Sequence, residues 1–151
     1  MRKLIETNEM FRKVIEGKEE LEGYLISGIT ITSKDFGEEV PWERWCSEYR
    51  NVTFHNVTFE GITLRHFLFS NCMFINNAFK NGIMKFTQFR NCEIESTIFE
   101  NIKFEFSEFK HSILFCVEYK ECDFQIENRF INCRCLPMDQ FIFNECTFFK
   151  L

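Results

Sequence analysis

The chain has 151 residues, is 45% hydrophobic and carries 18 Lys+Arg against 23 Asp+Glu, a net charge of −5. That length suits one domain with a sizeable core, and no stretch approaches the roughly 18 apolar residues of a membrane helix. Residues 1–48 hold 7 Lys+Arg and 11 Asp+Glu (net −4), and residues 49–151 hold 11 and 12 (net −1), so the larger part is nearly neutral and has no basic footprint for nucleic acid.

Met1-Arg2-Lys3-Leu4-Ile5-Glu6 has basic residues with no apolar run behind them and reads as no secretory signal. Residues 5–16 predict a short amphipathic helix, with Met10, Phe11, Val14 and Ile15 on one side and Gly17 as its stop. Residues 1–20 are thus expected to be an N-terminal cap, and residues 21–151 the body. Ile26, Ile31 and Phe36 are five apart, with Tyr24, Ile29 and Lys34 two residues before them. Residues 37–46, which include Pro41, Trp42, Trp45 and Cys46, break that spacing and read as an excursion or a rebuilt corner.

From Phe54 to Phe124 every fifth residue is apolar: Phe54, Phe59, Leu64, Phe69, Phe74, Phe79, Met84, Phe89, Ile94, Phe99, Phe104, Phe109, Leu114, Tyr119 and Phe124. A period of five fits neither an α-helix nor a simple strand. A fixed internal repeat points to a solenoid. Two residues before each ladder position i, the side chains are mostly small or β-branched, as in Val52, Val57, Cys72, Thr87, Cys92 and Ser107. In an extended segment positions i−2 and i share a face, so the next two residues must turn a corner. Asn51, Asn56, Asn71, Asn76, Asn81, Asn91 and Asn101 sit at i+2, and Asn tolerates such turns. Phe67 and Asn77 are odd at i−2 and predict a local bulge or an outward rotation. The ladder is expected to break at 125–130 and to resume at Cys133, Met138, Phe143 and Phe148, with Ile131, Leu136, Phe141 and Cys146 at i−2.

This small–x–large–x–x pattern resembles the pentapeptide-repeat family, whose consensus is A-(D/N)-L-x-x, over most of the chain. It departs by using Phe for Leu at i and Cys, Val or Thr for Ala at i−2. The resemblance implies an all-β solenoid, a right-handed quadrilateral β-helix with four repeats per coil. Together with the repeat count it implies about six coils, stacked at about 4.8 Å into a rod roughly 30 Å long. The short N-terminal helix would cover the first coil, as a solenoid end requires.

The residues offer little for catalysis. His55, His66 and His111 fall in different registers when the chain is read in twenties, and no G-x-S-x-G, P-loop or H-E-x-x-H motif occurs. The expectation is therefore no enzyme, no cofactor and no metal. Of the eight cysteines, Cys72, Cys92, Cys122 and Cys146 share one inward position, where free Cys acts as a small hydrophobe. That predicts reduced thiols and a cytoplasmic location. Cys133-Arg134-Cys135 is C-x-C and reads as one ladder residue, Cys133, with Cys135 facing out.

Reading in twenties also exposes outward columns. His66, Phe86, Phe106 and Ile126 align at one corner beside Ile83, and Met73 and Ile113 align at i−1 with Ile75 and Phe115 at i+1. Outward apolar residues aligned over several coils mark a contact surface, and Trp42 and Trp45 read either as interface anchors or as a lid. The residues expected to bind a partner are Phe86, Phe106, Ile126, Ile83, Met73, Ile75, Phe115, Trp42 and Trp45. The expected function is a non-enzymatic protein-binding rod that neutralises or protects a protein partner, as a toxin immunity protein does. The family resemblance implies an alternative, a DNA-mimicking protector of a type II topoisomerase such as gyrase. The near-neutral body weakens it, as does the absence of a helix after Phe148-Phe149-Lys150-Leu151. No nucleic acid or membrane contact is expected. A homodimer through the apolar C-terminal coil is a further expectation.

Overall fold

In the computed structural model, which describes residues 2–37 and 40–149, nearly all regular structure is short parallel strand. Each strand pairs with the one a full coil away, and through the central coils the offset is twenty residues: Phe54 pairs with Phe74, Phe59 with Phe79, Met84 with Phe104 and Phe89 with Phe109. Twenty residues are four repeats of five, so the coil has four faces. The fold is a four-sided parallel β-helix whose central coils are each four five-residue repeats.

The ladder residues line the four faces from inside. Face I carries Leu21, Tyr49, Phe69, Phe89, Phe109 and Phe130. Face II carries Ile5, Ile26, Phe54, Phe74, Ile94, Leu114 and Cys135. Face III carries Ile31, Phe59, Phe79, Phe99, Tyr119 and Phe143. Face IV carries Leu64, Met84, Phe104, Phe124 and Phe148. Rings one coil apart stack in parallel: Phe59 on Phe79 at 4.5 Å, Phe79 on Phe99 at 4.8 Å, Phe89 on Phe109 at 4.6 Å, measured between centroids. Rings on opposite faces meet edge to face across the axis, as Phe89 and Phe99 do at 6.0 Å and 90°. Both geometries suit the aromatic quadrupole.

Corners fall at i+2. All seven of the Asn residues expected there have φ between 52° and 56°. At most corners of the central coils an amide bonds the next coil, as Asn56 N–H does to Ile75 O at 3.0 Å. The i−2 side chains do more than fill space. The Cys72 thiol donates to Tyr49 O (3.2 Å), the Thr87 hydroxyl to Leu64 O (2.9 Å) and the Ser107 hydroxyl to Met84 O (3.1 Å), each 23 residues back. A donor at i−2 thus ties one coil to the preceding one, which explains why Cys, Thr and Ser can replace Ala.

Several expectations are corrected. Phe67 and Asn77 do not rotate outward; they are 2% and 4% exposed. Phe67 packs among Phe36, Tyr49 and Phe69. Asn77 donates to Phe54 O (2.9 Å) and accepts from Val57 N (2.8 Å), so its buried amide is satisfied. The ladder resumes at Phe130 and Cys135, not at Cys133 and Met138. Phe109 pairs with Phe130 and Leu114 with Cys135, so the 125–130 break inserts a single residue. Cys133 then sits at i−2, its thiol 3.2 Å from Phe109 O, and Met138 is 71% exposed. Ile131 and Leu136 take outward positions opposite Lys110 and Phe115.

At the N-terminus the helix spans Asn8–Ile15. Ile5, expected within it, instead ends a strand, Lys3–Ile5, that pairs with Tyr24–Ser27 and buries Ile5. Thr7 divides the two elements: its hydroxyl accepts from Met10 N at 3.1 Å and caps the helix. Phe11 and Ile15 are buried while Met10 is exposed, and the helix packs on Lys3–Ile5 and Ser33–Phe36. Among the described residues the first coil has no strand on face IV, and Ser33–Phe36 form a 3₁₀ turn after its face III strand. In the 37–46 excursion, Glu38 and Glu39 lie outside the described residues, and Trp42–Arg44 form a second 3₁₀ turn. Trp45 stacks on buried Phe36 at 4.8 Å, so it is a lid.

Two substitutions test this core. Phe99→Ala is expected to lower unfolding free energy by about 3–5 kcal/mol in urea titration. Gly82 sits at i−2, where an added Cβ would lie 2.4 Å from Ile62 O. Gly82→Ala is therefore expected to cost about 1–3 kcal/mol although it adds only a methyl.

Candidate functional site

The outward residues at the corner between faces IV and I form one aromatic stack. His66 lies on Phe86 at 4.9 Å and 3°, and Phe86 lies on Phe106 at 4.8 Å and 9°. Trp42, from the excursion, continues the stack above His66 at 5.6 Å. The Arg65 guanidinium stands 5.0 Å over the Trp42 ring, and Lys85 stands 5.9 Å from Phe86. Glu105 pairs with Lys85 and Lys103 at the lower end. Phe86 is 40% exposed and Phe106 half-buried.

Phe86 and Phe106 have φ of 52° and 51°, a conformation uncommon for a bulky side chain. Ile126 does not complete the column. The inserted residue displaces it, Glu127 takes the corner with φ 50°, and Phe106 N–H bonds to Ile126 O. Ile126 instead lines the cleft at the C-terminal end, with Phe130, Phe141, Phe143, Phe148 and Phe149. Phe148 and Phe149 are each 50% exposed, and Lys150 and Leu151 of the expected pairing surface lie outside the described residues.

Ile83 lies beside this corner, on face IV between Thr63 and Lys103. Met73, Ile75, Ile113 and Phe115 all lie on the outside of face II. The rung of Glu93 and Glu95 separates the two pairs, so that apolar column is interrupted. Of the expected partner-binding residues, Phe86, Phe106, Ile83 and Trp42 thus gather at the corner and Met73, Ile75 and Phe115 on face II, while Ile126 lines the C-terminal cleft and Trp45 covers Phe36.

The three histidines stay apart. His66 is in the stack, His55 lies 3.4 Å from the Ser27 hydroxyl on face II, and His111 turns a corner. Among the described residues no group of three His, Cys, Asp or Glu is placed to hold a metal ion. All eight cysteines are free thiols and Cys116 alone is exposed. Cys135, expected to face out, is buried. Burial pushes Cys46 up to about 11 and Cys122 up to about 12. Spacing could not reveal that Trp42 joins the corner stack, because the excursion that carries it has no repeat.

The chain matches no family model and no curated protein. Among solved structures it is similar to a pentapeptide repeat protein (Rfr23) from the cyanobacterium Cyanothece 51142. The identity is 11% and the TM-score 0.44, over 93% of this chain and 97% of that one. It is also similar to a putative glycosyl hydrolase from Parabacteroides merdae ATCC 43184, at 8% identity and TM-score 0.39, over 84% of this chain and 75% of that one. At such values neither likeness bears on activity or partner.

The thiols give a test of the interior. Brief iodoacetamide treatment is expected to modify Cys116 first, with the buried cysteines reacting only after denaturation, as read by peptide mass spectrometry. A free thiol titrates near 9.0, and the folded values of Cys46 and Cys122 lie above that. Between those values the native state holds protons that the unfolded state has lost. Stability is therefore expected to be full below pH 9 and to fall as pH rises from about 9 to about 12, as a declining melting temperature.

Proposed function

We propose that the chain is a non-enzymatic rod that binds another protein and neutralises or protects through that contact, in the manner of a toxin immunity protein. The corner stack carries this reading. Asn and Gly fill most other corners without strain, yet here the chain places Phe86 and Phe106, with φ of 52° and 51°. A left-handed backbone costs an ordinary residue about 1–2 kcal/mol. Stacking between the rings recovers part of that, and their remaining exposed area offers a partner an apolar ridge on a rigid wall. Basic Arg65 and Lys85 and acidic Glu105 along the ridge would set the register of the contact. Eight free thiols suit a reducing compartment such as the cytoplasm.

Mimicry of a DNA duplex, directed at gyrase, needs a continuous negative face. The outer column of face III instead alternates Glu60, Lys80, Glu100, Lys120. On face IV the column Arg65, Lys85, Glu105 is mixed as well. The charge pattern therefore favours the first reading.

The test is capture of partners from the source cell by wild-type protein and by the Phe86→Glu/Phe106→Glu variant. A co-encoded toxin retained by the wild type and bound about 30-fold more weakly by the variant, equivalent to about 2 kcal/mol at a hot spot, is the expected result. The variant should keep its β-rich circular dichroism. Equal retention of the same partner would remove the corner as the site, and capture of gyrase subunits would favour mimicry.

A further inference from the structure

We infer that face II is a second docking surface, built for an amphipathic α-helix with a basic residue at the centre of its apolar stripe. The inference rests on the reading of the chain as a protein-binding rod and names the chemistry of a partner element. Three successive rungs form the surface. Met73 and Ile75 point out from the first, Glu93 and Glu95 from the second, Ile113 and Phe115 from the third, in strict register. Both glutamates are exposed, as are Ile113 and Phe115, and Met73 and Ile75 are half-buried.

Among the described residues neither carboxylate has an ion-pair partner. The basic groups in their own columns, His55 and Arg134, stand two rungs away on opposite sides, which is about 10 Å and close to a Debye length. Two like charges on one strand, at alternate positions about 7 Å apart, repel each other and sit between apolar rungs. A single guanidinium or ammonium placed between them would relieve both, and Arg could do so with two hydrogen bonds.

The spacing selects the occupant. Phe54 and Phe74 stack at 4.9 Å, which is the rung period, so the two apolar pairs are about 10 Å apart with the acidic rung midway. An α-helix lying along the solenoid axis rises about 10.5 Å over seven residues, and its positions n, n+3 or n+4, and n+7 share one face. Apolar residues at n and n+7 with Arg or Lys at n+3 or n+4 therefore match all three rungs. An extended strand laid the same way repeats at about 7 Å on one face and matches neither the single nor the double rung spacing.

The test uses the full chain labelled with nitrogen-15 and a synthetic alanine-based helical peptide carrying Leu at n and n+7 and Arg at n+4. Titration should shift amide signals of residues 73–75, 93–95 and 113–115. The peptide with Glu in place of Arg should bind at least about tenfold more weakly, and so should the Arg peptide to the Glu93→Gln/Glu95→Gln variant. Both substituted residues are exposed, and circular dichroism checks that this variant is folded. Equal affinity for the two peptides, shifts confined to other faces, or no shift at about 1 mM peptide would each overturn the inference. Failure here leaves the corner site standing, because Phe86 and Phe106 turn the corner between faces IV and I and are tested by their own variant.

Discussion

Through the central coils the backbone turns into the left-handed region once in every five residues, and this brings each of those coils back over its predecessor after twenty. Asn and Gly adopt that region at low cost, and the described corners run from Gly23 to Glu145 with φ near +50° to +76°. Once the coil closes at twenty, every residue lies above its own equivalent. A side chain chosen for one coil then determines what fits in the next. Phe stacks on Phe, a thiol or hydroxyl at i−2 reaches the carbonyl of the coil before, and an amide at most corners bonds to the coil after. These three links run along the axis. Cohesion is therefore distributed over nearest neighbours, as in other solenoids.

The same register builds the outer wall. Because outward residues also align, any substitution repeated at twenty-residue spacing becomes a ridge or a stripe. Phe86 and Phe106 become a stacked ridge in this way, and Glu60, Lys80, Glu100 and Lys120 become a stripe of alternating charge. Met73, Glu93 and Ile113 become an apolar–acidic–apolar series. The interior is devoted to packing, so whatever the protein binds must be recognised on this wall. The flat, rigid faces lose little conformational entropy when a partner docks.

The central coils were legible because one rule applies without interruption from Phe54 to Phe124, and the corner Asn residues mark it independently. Legibility ended where the rule admits a second solution. After Phe124, the apolar residues Ile131, Cys133 and Leu136 offered a ladder one phase away from the true one, and position i went to Phe130 and Cys135 instead. The signal for the correct phase was Asn128, whose half-buried amide repeats the role of Asn77. Asn77 itself predicts a bulge or an outward rotation, because composition does not reveal that the Phe54 carbonyl and the Val57 amide are waiting inside. At the other end, an apolar pattern over residues 5–16 hid a strand at Lys3–Ile5, whose partner Tyr24–Ser27 is nineteen or more residues distant. Of the candidate surface, the corner column could be read from spacing. Its Trp42 end could not, and neither could the displacement of Ile126 by one inserted residue.

The claim on which all of this rests is that residues twenty apart are neighbours and that the large ones face a common axis. Nuclear Overhauser spectroscopy reads both directly. The account predicts backbone cross-peaks between residues n and n+20 from Thr53 to Phe124, together with ring-to-ring cross-peaks linking Phe79 to Phe99 and Phe89 to Phe109. Strong cross-peaks between n and n+3 or n+4 through that segment, without the twenty-residue set, would mean a helical packing and would contradict the fold and both surfaces drawn from it.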